Sequence, residues 1–428
     1  MTGAEPYAGV ADAAWRWVLG QVRWDDGPWV PTSVPWRDDT GPPADRDSLH
    51  SGVGGLAHAL AEIRLARPWT AEESELAAGI GERLRARLAT TTDATWFDGL
   101  AGDVGVFLAL GTDGADGADG AEPALARLAE LATADGWPQA VTEPPRFLPG
   151  ARINDATLGT AGVLLAAVAG IRHRVPGAPH VAAHAADVLL AEAEPADGGL
   201  RWRFVPERFR TTPATEMPNW SHGTAGIAAA LALAGAELDR SDLVDAGASG
   251  AAHLLALAQQ SGEGLVVPRY APDPLPGEEP WSFGWCHGAA GTSQLFAALQ
   301  HAGVDQVAGE APSHWRRRFL ASVVSSGVPD RMRPGFWDND GRCCGTAGVG
   351  DVFLDAWESG GDERDLAFAR RLGDALVERA VVDDHGARWR FVAHQAEEPL
   401  LPPGVGWMQG TAGIAAYLSR LARLATTR

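Results

Sequence analysis

Cysteine is scarce in this sequence. There are three in 428 residues: Cys286, Cys343 and Cys344. An odd, sparse count argues against a disulfide framework and leaves buried thiols, reactive thiols or metal ligands. Basic residues are also in deficit, with 35 Lys+Arg against 55 Asp+Glu and a formal net charge of -20. That balance argues against nucleic acid, whose phosphates need a basic face, and suits neutral or basic partners. Long hydrophobic runs are missing too. The most apolar stretch, residues 157–171, is broken by glycine and too short to span a bilayer. Residues 1–20 hold no basic segment followed by an apolar core, so no secretory signal is read and a cytoplasmic location is expected. Hydrophobic residues are plentiful at 46%, ample for a large core.

The chain carries an internal repeat. A small-residue G-x-x-G opens an apolar helical run seven times, with first glycines at Gly52, Gly99, Gly159, Gly223, Gly288, Gly345 and Gly410. Their separations are 47, 60, 64, 65, 57 and 65 residues, which indicates a repeat fold and not independent domains. Between the motifs lie stretches with charge on one face and a 3.6-residue period: 72–89, 180–192, 241–260 and 362–380. Each repeat thus offers an apolar helix that protein must surround and a charged-face helix that water can meet. The expected fold is all-α: an (α/α) toroid of about seven inner and seven outer helices, one domain over residues 1–428. An open superhelix is the alternative. The ring is preferred because every inner segment is apolar and neither end carries a polar cap. Segments 202–219, 266–282 and 388–405 carry extra residues. The first and third share Arg201-Trp202-Arg203-Phe204 and Arg388-Trp389-Arg390-Phe391, and all three are read as short β-hairpins at the ring mouth. The run 113–120 is of low complexity, lacks the ligand spacing of a calcium loop, and is read as a mobile surface loop.

If each inner helix begins at its motif, the residues just before the first glycines line one mouth. That position holds Ser51, Asp98, Leu158, His222, His287, Cys344 and Gln409, and the position before it holds His50, Phe97, Thr157, Ser221, Cys286, Cys343 and Met408. All three cysteines fall in this two-residue band, in wedges five and six. Three thiols meeting beside a mouth open to solvent make a soft metal site, with zinc the first candidate and a metal-free thiol site the alternative. His222 in wedge four, Asp155 in wedge three and His287 beside Cys286 cluster with them as candidate acid–base groups. Trp96, Trp220, Trp285 and Trp407 stand three residues before a first glycine and are read as loop packing in preference to ligand stacking.

The seven motifs, W-C-x-G at residues 285–288 and the cysteine-glycine motif of the next wedge resemble the lanthionine synthetase C-like family over nearly the whole chain. The resemblance implies an (α/α) toroid with central zinc and an enzyme that adds peptide cysteine thiols to dehydroalanine or dehydrobutyrine, closing thioether rings. By position, Cys286 and Cys343 match two cysteine ligands, and Cys344 matches a ligand that is commonly histidine, so that R-C-C-G resembles an all-cysteine variant. His222 matches the family's catalytic histidine and Asp155 its aspartate. Two positions depart from the pattern: Ser282 stands where an arginine is frequent, and His287 where tyrosine is often found. The implied partners are a dehydrated precursor peptide and a separate dehydratase. In that chemistry His222 is the general acid, and Asp155 or His287 orients or recharges it. Competing classes are an enzyme adding glutathione or another small thiol, a non-catalytic peptide-binding scaffold with a closed structural zinc, and an (α/α)-toroid glycoside-active enzyme. The last would need a carboxylate pair, and the band offers only Asp98.

Overall fold

The structure is a computed structural model that describes residues 5–34, 45–111, 118–139, 147–211, 215–272, 279–393 and 400–426. Among these residues fourteen α-helices form in chain order: α1 (Glu5–Leu19), α2 (Leu56–Ala66), α3 (Ala71–Arg87), α4 (Leu100–Leu110), α5 (Ala118–Leu131), α6 (Thr160–Arg172), α7 (Ala178–Ala191), α8 (Thr224–Leu238), α9 (Ser241–Leu257), α10 (Ala289–His301), α11 (Pro312–Ser325), α12 (Thr346–Gly360), α13 (Glu363–Arg379) and α14 (Thr411–Thr426). Each even-numbered helix follows one of the seven glycine motifs. These helices are built from Ala, Gly, Val and Leu, and α8 buries every residue from Thr224 to Ala232. Most odd-numbered helices are amphipathic. In α13 the buried Leu366, Ala369, Leu372, Gly373 and Leu376 recur every three or four residues, and charged residues fill the other face. No helix is long and apolar enough to cross a membrane among the described residues. Of the low-complexity run, residues 113–117 lie outside the described residues. Residues 118–120 belong to α5, and buried Gly120 sits against the ring of Phe107 on α4.

The chain divides into two compact units. The second, Leu88–Leu108 with Ala118–Ser326, sets α6, α8 and α10 side by side and packs α7 on α6, α9 on α8 and α11 on α10. The first, Met1–Arg87 with Ala109–Gly117 and Gly327–Arg428, sets α12 beside α14 and α14 beside α2, so that the last inner helix lies against the first. Here α13 packs on α12. The partner of α14 is α1, from the opposite end of the sequence. Tyr7 on α1 donates a hydrogen bond to Asp374 on α13 at 2.6 Å.

Four antiparallel hairpins complete the fold: β1 (Glu194–Ala196) with β2 (Gly199–Arg201), β3 (Gln259–Ser261) with β4 (Gly264–Val266), β5 (Val381–Asp383) with β6 (Gly386–Arg388), and β7 (Phe391–Val392) with β8 (Leu400–Leu401). The first three lie just upstream of the segments expected to form hairpins, and only β7–β8 falls within one. The displacement has a physical reason. The outer helices α7, α9 and α13 run straight into the first strand of a hairpin, and the second strand packs on another outer helix: β2 on α9 and β4 on α11 in one unit, β6 on α1 in the other. The aromatic residue after the strand closes the helix end behind it. Trp202 donates its indole N–H to the Leu189 carbonyl at 2.7 Å, and Trp389 does the same to Leu376 at 2.9 Å. Within the repeated Arg-Trp-Arg-Phe the first arginine ends a strand, and the tryptophan after it closes a helix end.

The second glycine of the motif is fixed by close approach. A Cβ at Gly291 would overlap the carbonyl oxygen of Trp285 and stand 2.8 Å from the Cβ of Trp220 in the neighbouring wedge. The loop before the helix folds back over the first helical turn, and only hydrogen leaves room. The first glycines at Gly159, Gly223, Gly288 and Gly345 have extended backbones, with φ between -132° and -145°, so a left-handed turn is not what selects them.

Gly291→Ala is expected to lower stability by about 1–3 kcal/mol or more, because a backbone carbonyl cannot step aside cheaply. Gly360→Ala, which meets open space near the end of α12, should be neutral or stabilising. Urea denaturation of both variants checks this.

A second expectation concerns α3. Thr70 and Glu73 form a reciprocal capping box: Glu73 N–H donates to Thr70 Oγ1 (3.2 Å) and Thr70 N–H to Glu73 Oε2 (2.7 Å). Burial would raise the Glu73 pKa. The Arg67 guanidinium, the Thr70 N–H and the Trp15 indole more than offset that and hold it down at about 2. Because the unfolded carboxyl titrates near 4.3, this contribution is present above that value and is lost as pH falls toward 2. Glu73→Gln should cost about 1–3 kcal/mol at pH 7 and flatten the acid limb of the stability–pH curve. An unchanged acid limb would refute it.

Candidate functional site

In the second unit the loop before α6 presents Asp155 and the loop before α8 presents His222. Asp155 is fully buried, and its carboxylate is held by its own turn. Oδ1 accepts from the backbone N–H of Leu158 (2.6 Å) and of Thr157 (3.1 Å), and Oδ2 accepts from the Thr157 hydroxyl at 3.3 Å. Oδ2 also meets His222 Nδ1 at 2.5 Å. An ionised carboxylate only accepts, so Nδ1 carries the hydrogen and Nε2 is the nitrogen left for chemistry. The imidazole lies between the ring of Phe204, edge-on at 5.4 Å, and that of His287 at 5.2 Å. It is partly open to solvent, with 21% of its side chain exposed.

The same unit carries Cys286, buried at the start of α10. Its carbonyl accepts the N–H of Ser221 at 2.8 Å, so the residue before His222 is pinned to the residue before His287. Beneath them the rings of Trp96 and Trp220 each stand 6.4 Å from that of Trp285, and Trp220 also covers Gly291. This is the packing expected of these tryptophans.

In the first unit Cys343 and Cys344 stand at the start of α12, one buried and the other exposed, with their sulfurs 3.4 Å apart. That is far longer than a disulfide of about 2.05 Å and close to the spacing of two thiolates on one zinc, about 3.8 Å for Zn–S bonds near 2.3 Å. The backbone is tied in. Cys343 N–H donates to the Met408 carbonyl at 2.8 Å, and Met408 N–H to the His50 carbonyl at 3.0 Å. Burial pushes the His50 imidazole below its usual pKa, while Asp45 and Cys344 pull it the other way. Arg342, immediately before Cys343, lies 4.1 Å over the Trp407 ring and is ion-paired with Asp351 of α12.

Cys286 belongs to the second unit, and Cys343 and Cys344 belong to the first. Thiols are donors that suit a soft ion such as zinc, so the residue types agree with that expectation. His222 and Asp155 form one hydrogen-bonded pair, and His287 touches it by ring contact. Sequence reasoning passed over three buried or half-buried asparagines that hold the motif loops. Asn154 donates to the Arg203 carbonyl, Asn219 to that of Pro268 and Asn339 to that of Val392. Their signal was an asparagine four to six residues before the first glycine in wedges three, four and six. Arg342 was also missed, because its role depends on Trp407, 65 residues away.

Comparison with known proteins bears on the fold and the family. The solved structure of nisin cyclase matches with a TM-score of 0.57 at 14% identity, covering 90% of each chain. At that identity the likeness shows the fold, an (α/α) toroid. The unsaturated glucuronyl hydrolase from Bacillus sp. GL1 matches with a TM-score of 0.46 at 16% identity, over 98% of this chain and 96% of its own. No curated protein matches in sequence. The family profile "Lanthionine synthetase C-like protein" matches residues 43–427. With that match spanning most of its length, the chain belongs to the lanthionine synthetase C-like family.

Proposed function

We propose that this chain is a zinc-dependent peptide cyclase, a single seven-repeat domain that acts in the cytoplasm on a dehydrated precursor peptide supplied by a separate dehydratase. The observation that carries the reading is the buried Asp155 holding His222 in one tautomer at 2.5 Å, in the loop pinned to Cys286. Family membership and three cysteines outside any disulfide support it.

Cys286, Cys343 and Cys344 would hold the zinc. Bound there, the ion would favour the thiolate of a peptide cysteine, which at its ordinary pKa of about 8.5 is mostly protonated near neutrality. The rest falls to the protein's own groups. The substrate thiol loses its proton to His222 Nε2, and Asp155 stabilises the resulting imidazolium through Nδ1–H. The sulfur forms a bond to the β-carbon of the dehydroamino acid, and the alkene electrons move to the α-carbon and its carbonyl. His222 then returns the proton from Nε2 to the α-carbon. One proton leaves sulfur and one reaches carbon, so the addition balances without an outside acid. His287, 5.2 Å from His222 ring to ring, restricts the imidazole to this orientation.

Two outcomes test this. The purified chain should contain about one zinc by elemental analysis, and the Cys286/Cys343/Cys344 triple alanine variant should contain none. Full occupancy in that variant would refute the metal assignment. His222→Asn should keep its zinc and its fold yet close rings about 10²–10⁴-fold more slowly, a barrier increase of roughly 3–5 kcal/mol. Asp155→Asn should also slow ring closure with zinc retained. Loss of peptide thiols against an alkylating reagent reads the rate. A His222→Asn variant working at the parental rate would remove this residue from the mechanism.

A further inference from the structure

The first unit contains a cavity of about 280 Å³, walled by the starts of two motifs (His50 and Ser51, Gln409 and Gly410), by Thr32 and Ser33, and by the β7–β8 hairpin. Its place in the fold ties it to the cysteine pair. Met408, between His50 and Gln409 in the hydrogen-bonded backbone, accepts from Cys343 N–H and donates to the His50 carbonyl. Each such backbone-to-backbone step spans about 5 Å, and consecutive Cα atoms of a peptide are about 3.8 Å apart. A residue one or two places from a cysteine seated at Cys343 and Cys344 therefore reaches this wall. The volume is at the small end for ligand pockets, about 300–1,000 Å³, and suits one side chain.

The chemistry of the wall is specific. Ser33, Ser51 and Gln409 bring hydroxyl- and amide-bearing side chains to the lining, His50 adds an imidazole, and Phe391 and Leu401 supply apolar surface. Among the described residues the lining includes no Asp, Glu, Lys or Arg. A hydroxyl, amide or aliphatic side chain entering here finds hydrogen-bond partners or apolar contact. A charged one gives up water and finds no carboxylate, ammonium or guanidinium partner among the described lining residues.

We propose that this cavity is the subsite for the residue adjacent to the reacting cysteine, and that it selects a neutral side chain. The proposal rests on the peptide-cyclase reading for the identity of its ligand. The overall charge of -20 attracts lysine-bearing peptides, so rejection of lysine isolates the effect of the cavity itself.

The test uses the zinc-loaded full chain and fluorescein-labelled peptides that contain one cysteine and no dehydroamino acid. They differ only in the residue after the cysteine: Thr, Gln, Leu, Lys or Glu. By fluorescence anisotropy the neutral peptides should bind at least tenfold more tightly than the Lys peptide. Ser33→Asp should shift preference toward Lys over Leu by at least tenfold, and Gln409→Glu gives the same reading if Ser33→Asp loses its native circular dichroism spectrum. Equal affinities, no binding at all, or a preference unmoved in folded variants would overturn the proposal. Ring closure of matched dehydroalanine peptides is measured alongside. Selective binding without ring closure would sink the cyclase reading and keep the subsite. Ring closure with no selectivity would sink the subsite and keep the cyclase.

Discussion

The architecture depends on one close approach: a loop carbonyl laid over a helix start where a side chain would stand. At Gly291 the covering atoms are the Trp285 carbonyl and the Trp220 side chain, and at Gly348 the Arg342 carbonyl takes the same place. Because the covering loop comes from the residues just before the helix, each motif fixes the path of its own entry segment. The residues one and two places before the first glycine inherit that path. This is how cysteines and histidines scattered over the sequence acquire defined backbone positions, which contacts such as Ser221 N–H to the Cys286 carbonyl and Cys343 N–H to the Met408 carbonyl then tie together. Asn154, Asn219 and Asn339 complete the arrangement by fastening the loops to backbone carbonyls about 50 residues farther along.

Within that frame the Asp155–His222 pair is built to be rigid. Asp155 has its oxygens committed to two backbone N–H groups, a hydroxyl and His222. Such a carboxylate cannot turn away from the imidazole without abandoning its own turn. The tautomer of His222 is thereby set by a four-residue stretch of the third repeat, Asp155 to Leu158. Arg342 has the corresponding place in the sixth repeat, where stacking on Trp407 and pairing with Asp351 hold the residue before the cysteine pair.

Much of this was legible in the sequence. Seven G-x-x-G motifs, each followed by an apolar run, gave the seven inner helices, and one-sided charge gave outer helices such as α9 and α13 within a few residues. His222, Asp155 and the three cysteines came from their register against the motif. What stayed hidden depends on partners distant in sequence. Nothing local marks α1 as the mate of α14. The hairpins were placed too late because Trp202 and Trp389 look like strand residues, whereas their indoles answer helix carbonyls thirteen residues back. Asn154 and Arg342 were overlooked for the same reason: a buried polar side chain is explained only by the group it reaches.

The pairing of α1 with α14 also bears on how the molecule is made. During synthesis α1 leaves the ribosome roughly 390 residues ahead of the helix it covers. At about 5–20 residues per second, the apolar face of α1, with Trp15, Trp17 and Val18, waits tens of seconds for its surface. The second unit draws on nearly continuous chain and can acquire its inner and outer pairs as they emerge. The first unit cannot close until α14 has emerged. A nascent chain stalled before residue 411 would therefore display the face of α1 that α14 covers as an exposed, adhesive surface.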